Sequence, residues 1–144
     1  MSVGELTREQ QRSIGLVRRG FQLYVGGDID GLLELYHPEV VVTAREWMNA
    51  GPFHGHEGFM EWTRLWFEAW DDFEFDVQSV EPVGERHVVA AVLIRGRGAK
   101  SGIEVEQVAG WAVEVQEGLA KYVEVTLSVE GARDLARRRE DADA

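Results

Sequence analysis

The chain contains no cysteine, which excludes disulfide bonds, thiol nucleophiles and thiolate metal sites. It also lacks any apolar run close to the roughly 20 residues that a membrane-spanning helix needs. The opening residues, Met1-Ser2-Val3-Gly4-Glu5, have neither the basic region nor the apolar core of a secretory signal. These absences predict a cytoplasmic protein that has no membrane partner.

Basic side chains are few beside acidic ones. The chain has 15 Lys and Arg against 26 Asp and Glu, and its formal net charge is −11. Phosphate backbones are bound by clusters of Lys and Arg. The main basic runs are Arg18-Arg19 and Arg137-Arg138-Arg139, and the second run continues directly into Glu140 and Asp141. We therefore expect no nucleic-acid partner, and solubility is sufficient to explain the acidity.

The rest of the composition is that of a globular domain. The chain has 144 residues, of which 44% are hydrophobic, and five of them are tryptophan, which is enough to bury a core. We predict one domain over residues 1–130, followed by a charged tail over residues 131–144 that forms one or two helical turns at most and then frays. No cofactor is predicted.

Apolar residues at helical spacing predict three helices in the first half of the chain. The first covers about residues 7–26 and opens with a capping box at Thr7-x-x-Gln10. The second is short, begins after Asp28 and stops at His37-Pro38. The third covers about residues 58–70 and carries aromatic side chains along one face, namely Phe59, Trp62, Trp66 and Trp70.

Period-two alternation predicts strands in the second half. After a short early strand at Glu39–Thr43, the predicted strands are Phe73–Val77, His87–Arg97, and residues 103–115 and 119–127. The last two form a hairpin through the turn Gln116-Glu117-Gly118. This order predicts an α+β domain, with three N-terminal helices packed on a curved antiparallel sheet.

One polar residue interrupts the apolar face of that hairpin. Gln107 shares the face with Ala109 and Trp111. A buried amide without partners costs about 1–3 kcal/mol. Gln107 therefore indicates either a satisfied core amide or a wet cavity.

Several short motifs, in their order along the chain, resemble one known family. They are Gly27-Asp28-Ile29-Asp30-Gly31-Leu32, Tyr36-His37-Pro38-Glu39-Val40, Gly51-Pro52-Phe53-His54-Gly55-His56-Glu57-Gly58, Glu104-Val105-Glu106-Gln107 and Val125-x-Leu127. Over residues 8–130 the chain resembles SnoaL-like members of the nuclear-transport-factor-2-like superfamily. The resemblance implies a cone-shaped barrel, a pocket between helices and concave sheet, and a homodimer. Because this fold serves isomerases, cyclases, epoxide hydrolases, dehydratases and binding proteins, it names no reaction.

The catalytic positions of that superfamily do not carry over. The resemblance places the pocket-facing Asp of the steroid-isomerase and polyketide-cyclase branches at Trp111, and the general-base Asp of the isomerase at about Ala44. The isomerase Tyr falls near Gly20, one turn before Tyr24. Trp is not a general acid, although its indole N–H donates hydrogen bonds. The Asp-Arg-Asp set of the epoxide hydrolases has no convincing match.

The remaining pocket candidates each have a plainer structural alternative. Trp111 is either a pocket wall or sheet packing, and Trp47 is either a ligand contact at the mouth or a loop anchor. His37 is either a general base or a cap on the second helix. His54 and His56 point apart if the chain is extended there, so no metal site is predicted. The candidate set is Gln107, Trp111, Trp47, Tyr24, His37 and Trp66, the last of which belongs to a helical aromatic stripe that usually forms core.

Three functional hypotheses follow. The first is a pocket protein that binds a small, mainly apolar molecule between the helices and the sheet. The second is an enzyme of this fold, an isomerase, cyclase or hydrolase, with a non-standard catalytic set that uses His37, Tyr24 or a carboxylate. The third is a non-catalytic dimeric interaction domain with a filled core, whose homodimer uses the other hairpin face at Val108, Ala112, Tyr122 and Thr126.

Overall fold

A six-stranded sheet organises the chain, and helices pack on both of its faces. The computed structural model describes residues 5–48 and 51–142. The helices are α1 (Arg8–Gly26), α2 (Ile29–Leu33), α3 (Arg45–Met48), α4 (Gly55–Ala69) and α5 (Val129–Ala142). The strands are β1 (Tyr36–Thr43), β2 (Phe53–His54), β3 (Trp70–Val83), β4 (His87–Gly98), β5 (Glu104–Gln116) and β6 (Leu119–Thr126).

Local chemistry sets both ends of α1. The predicted capping box is confirmed, because the Gln10 amide N–H donates to Thr7 Oγ1 at 3.0 Å and the Gln10 side chain accepts from the Thr7 amide at 3.0 Å. Gly27 ends the helix in the left-handed conformation, with φ at 77°. The buried face of α1 is Ser13, Val17, Phe21 and Tyr24, and it packs toward the sheet.

The strands lie in the order β2-β1-β6-β5-β4-β3. The predicted hairpin is confirmed, since β5 and β6 pair antiparallel with Trp111 opposite Val125. Its turn needs positive φ angles, which Glu117 and Gly118 adopt at 56° and 75°. The sheet differs from the antiparallel prediction at one pair, because β1 runs parallel to β6. A long crossover separates these two strands in sequence, so no hairpin dictates their direction.

The α+β class is confirmed, but the three N-terminal helices are not, because one long helix, α1, occupies that position. The segment predicted as the second helix forms the five-residue α2 and then enters β1 at Tyr36. Pro38 has no N–H to continue a helix, and the β-branched residues after it favour a strand. The predicted third helix is α4, which follows β1 and β2.

The C-terminal segment also differs from the prediction, because residues 129–142 form one continuous helix instead of one or two turns followed by a fraying tail. Ala132 and Ala136 lie one turn apart and are fully buried against Val89 of β4 and Ala112 of β5. These small side chains let α5 lie close to the sheet. None of the described helices is long and apolar enough to cross a membrane.

The sheet has an inner face, toward α1 and α4, and an outer face, toward α5. Successive strand residues point to opposite faces. Thus Val88 faces the main core, whereas Val89 packs under α5. The outer face was predicted to meet a second copy of the chain. There α5 covers Ala112 and Tyr122, whereas Val108 keeps 37% of its surface exposed.

Candidate functional site

A small cavity lies between α1, α4 and the inner face of the sheet. Its volume is about 50 Å³. The walls are almost entirely apolar and include Val17, Phe21, Tyr24, Tyr36, Trp62 and Trp111. Pockets for drug-sized ligands are about 300–1,000 Å³, and a dry cavity of about 150 Å³ binds benzene. The cavity therefore accepts waters or a molecule of a few heavy atoms without movement of its walls.

Interlocking aromatic rings form one side of the cavity. Phe21 of α1 contacts Trp111 of β5 edge-to-face, with ring centroids 5.2 Å apart. Phe75 of β3 contacts Trp111 at 5.5 Å and Phe21 at 5.9 Å. Such pairs add about 0.5–1.5 kcal/mol beyond their buried area. A ring-sized ligand would have to displace one of these three side chains.

The polar side-chain groups of the cavity lining are the hydroxyls of Tyr24 and Tyr36 and the indole N–H groups of Trp62 and Trp111. Tyr24 is 7% exposed, and among the described residues its hydroxyl has no hydrogen-bond partner. Burial raises the pKa of Tyr24 well above its usual range, and nearby Tyr36 adds to this shift. The Thr63 hydroxyl, which donates to the Phe59 carbonyl, is close enough to the phenol to oppose the shift but lies outside hydrogen-bonding geometry with it. Burial likewise raises the pKa of Tyr36. Both phenols are therefore neutral near pH 7 and serve as hydrogen-bond donors, not as bases.

The lining offers no other acid–base group. Among the described residues that line the cavity, none carries a carboxylate, imidazole, ammonium or guanidinium group. A proton abstraction needs a group of suitable pKa within hydrogen-bond reach of the substrate. Two neutral phenols do not supply that base.

The structure brings two of the six predicted site residues to the cavity, Tyr24 and Trp111. Trp66 lies behind the lining, where it is 1% exposed and its ring centroid is 5.2 Å from that of Trp62. Its indole N–H has no hydrogen-bond partner in the part of the chain that the structure describes. Trp66 thus fills the core between α4 and the sheet.

The other three predicted residues lie away from the cavity lining and hydrogen-bond to the backbone. Gln107 Nε2 donates to the Leu127 carbonyl at 2.9 Å. Trp47 Nε1 donates to the Thr126 carbonyl at 3.0 Å. His37 Nδ1 accepts the Glu39 amide N–H at 3.0 Å. Each of these contacts satisfies a polar atom and anchors a strand end or a turn.

Sequence reasoning missed several lining residues, above all Tyr36. It was assigned to the second helix, whereas it begins β1 and its ring packs edge-to-face on Phe59 with centroids 4.3 Å apart. The Tyr36 carbonyl is also 2.8 Å from His56 Nε2. The alternation from Tyr36 through Val40 and Val42 was the available signal, but Pro38 interrupts it. Within residues 5–48 and 51–142, no cluster of three His, Asp or Glu could hold a metal ion.

Comparison with known proteins identifies the class. The sequence profile of the SnoaL-like domain matches residues 17–123, which include α1 from Val17 and extend to Val123 of β6. The chain therefore belongs to the SnoaL-like domain family. A search of curated protein sequences returned no significant match.

Solved structures agree on the fold. A candidate SnoaL-like polyketide cyclase from Jannaschia sp. CCS1 superposes with a TM-score of 0.76 at 16% identity, covering 92% of this chain and 96% of that one. A protein of unknown function from Burkholderia pseudomallei K96243, described as NTF2-like, superposes with a TM-score of 0.73 at 17% identity. The match covers 91% of this chain and 98% of that one. TerC, co-crystallised with polyporic acid, superposes with a TM-score of 0.72 at 18% identity. The match covers 87% of this chain and 98% of that one.

Proposed function

We propose that this protein binds a small, mainly apolar molecule that carries a hydrogen-bonding oxygen, in the cavity between α1, α4 and the sheet. The observation that carries the proposal is the buried Tyr24 hydroxyl, which has no partner among the described residues and belongs to the wall of that cavity. A buried polar group without a partner costs about 1–3 kcal/mol. A ligand oxygen that accepts from Tyr24 would remove this penalty.

The apolar lining supports the rest of the proposed ligand. Ligand sites are typically apolar and fix orientation with a few polar groups. Phe21, on the buried face of α1, is 9% exposed and contacts Phe75 and Trp111 edge-to-face. We propose that outward rotation of Phe21 admits a single ring. The structural relative TerC holds polyporic acid, which supports the capacity of this fold for an organic molecule.

Binding is better supported than catalysis. The enzyme hypothesis named His37 and Tyr24, but the His37 ring bonds to the Glu39 backbone and Tyr24 is a neutral phenol. A filled core is the remaining alternative, and the small volume of the cavity is the observation that favours it. Ligand binding in the cavity and a filled core predict different results in a binding experiment.

The direct test compares p-cresol with toluene, which share a ring and differ in one hydroxyl. Both are titrated into the protein and into Tyr24→Phe, and binding is followed by NMR chemical shifts of the cavity methyl groups. We expect the natural protein to prefer p-cresol by about tenfold, the worth of one hydrogen bond. Tyr24→Phe should bind toluene as before and lose the preference, because it keeps the ring and lacks the hydroxyl.

A cavity-filling variant provides the control. Val113, 5% exposed, lines the cavity from β5, and Val113→Ile adds one methylene to it. If the cavity is open, this variant should weaken binding of both probes and leave stability unchanged or slightly raised. If neither probe binds the natural protein and Val113→Ile is destabilised by overpacking, the core is filled and the proposal is wrong.

A further inference from the structure

The two halves of α5 are attached to the outer sheet face in different ways. The first half packs through Ala132, and Ala136 packs at the start of the second half; both alanines bury little apolar area. The last turns are held by two consecutive charged residues, Arg139 and Glu140, each of which reaches a different strand. Attachment of the C-terminal half therefore depends on charge more than on apolar burial.

Arg139 binds β5. Its guanidinium Nη2 donates to Glu114 Oε1 at 2.9 Å. The central guanidinium carbon, Cζ, lies over the ring of Tyr122, 3.6 Å from the ring centroid. Glu114 is 3% exposed. Burial acts to raise the pKa of Glu114, but the hydrogen bonds from Arg139 and Gln116 and the positive charges of Arg139 and His87 outweigh it and hold that pKa below its usual value. Glu114 is thus ionised beneath α5.

Glu140 binds the start of β4. Its Oε2 is hydrogen-bonded to His87 Nδ1 and its Oε1 accepts the Glu85 amide at 3.1 Å. Arg86 adds an ion pair to Oε1 at 3.7 Å and donates to the Glu140 carbonyl at 3.0 Å. The turn between β3 and β4 and the end of α5 are therefore joined at one carboxylate.

His87 lies between the two carboxylates and is 1% exposed. Nδ1 faces Glu140, and Nε2, which has no hydrogen-bond partner within the described residues, is 3.4 Å from Glu114 Oε1. A neutral imidazole has one N–H and one lone pair, so one ring nitrogen would then present a lone pair to a carboxylate. Only the imidazolium presents N–H groups to both.

We propose that His87, Glu114, Arg139 and Glu140 form a proton-controlled latch for α5. The latch is closed while His87 carries both protons, and the second half of α5, from Ala136 onward, leaves the sheet when the ring loses one. The charged groups around the ring are Glu114 from β5, Glu140 and Arg139 from α5, and Arg86 next to it in the chain. Because the closed state binds the extra proton, closure is favoured at lower pH and is lost as the pH rises.

Thiol labelling tests the latch, since the natural chain has no cysteine. Ala136→Cys places a reporter under α5, where the side chain is 0% exposed, and Asp134→Cys places an exposed control on the same helix. The ratio of the two labelling rates cancels the effect of pH on the thiol. We expect this ratio to rise by about tenfold or more between about pH 6 and about pH 9, the effect of losing one charge-assisted hydrogen bond.

Two substitutions identify the titrating group. His87→Gln, added to both reporters, keeps a donor but has no titrating proton, so the ratio should no longer change with pH. Glu140→Gln, at the more exposed end of the latch, should raise the ratio at about pH 6 and flatten its pH dependence. A ratio that does not change with pH in the natural His87 background overturns the latch. If the labelling ratio rises with pH in either variant as much as in the natural background, another group controls the opening, and the latch is overturned equally.

Discussion

The two faces of the sheet are built from the same strands but differ in chemistry. On β5, Val113 lines the inner cavity and its neighbour Glu114 is buried under α5 on the outer face. The inner face is covered by aromatic rings, whereas the outer face combines alanines with ion pairs. The inner face therefore supplies most of the buried apolar area that stabilises the fold.

The difference indicates that the inner face determines the free energy of unfolding, whereas the outer face determines how α5 is docked. Apolar burial on the inner face is non-directional, and a change in the volume of its close-packed side chains changes the free energy of unfolding. Buried ion pairs contribute little net stability, because desolvation offsets their attraction, but removing one partner leaves an unpaired charge. We therefore expect inner-face substitutions to change global stability and outer-face charge substitutions to act mainly on α5.

The largest effect is expected at Trp66 of α4. Its ring is 1% exposed and contacts Trp47, Trp62 and Phe75. Trp66→Ala should lower the free energy of unfolding by about 3–5 kcal/mol, measured by urea denaturation. Phe67→Ala, on the same helix but 41% exposed, is the matched control and should lose clearly less. Equal losses would contradict the account of the inner core.

A smaller effect is expected where α5 approaches the outer face. A Cβ at Gly110 would lie 2.6 Å from the Ser128 carbonyl oxygen and 2.7 Å from the Ala132 Cβ. Gly110→Ala should therefore cost about 1–3 kcal/mol and weaken protection of α5 amides in hydrogen exchange. If the variant is destabilised while α5 protection is unchanged, the close approach is not what holds this end of the helix.

Acid should weaken the outer face through Glu114. Because its pKa is lower in the folded protein than its ordinary value of 4.5, ionised Glu114 stabilises the fold above that pH. This contribution should be lost as the pH falls below 4.5 and through the lowered folded pKa. Unfolding free energies measured along this acid range should fall less steeply in Glu114→Gln than in the natural protein. Parallel curves would mean that Glu114 is not linked to stability.

The smallest of these effects, a stabilising one, is expected on the solvent-exposed side of α1. Gly15 lies on the exposed side of α1, and a Cβ there would meet nothing within 4 Å. Gly15→Ala should raise stability by about 0.5–1 kcal/mol, since alanine loses less backbone entropy in a helix. Thermal unfolding measures this gain. A loss would show that α1 is constrained by contacts other than its buried face.

Part of the candidate site could be read from the sequence. Trp111 was placed on the apolar face of the hairpin by alternation, and Tyr24 on α1 by helical spacing; both line the cavity. Tyr36 was missed because Pro38 made its segment look like a helix end. His87 was seen only as the start of a strand, since the residues that surround it come from β5 and from a segment predicted to fray.

Local patterns were sufficient for the elements and the family. Capping at Thr7, alternation along the hairpin and the motifs around Gly27 and His37 act over a few residues, so they predict α1, the β5–β6 hairpin and the SnoaL-like class. Other features depend on contacts distant in sequence. The carbonyl of Leu127 satisfies Gln107, and the docking of α5 buries His87 between two carboxylates. Only the packed chain determines such contacts, because the free energy of a buried polar group depends on its partners in space.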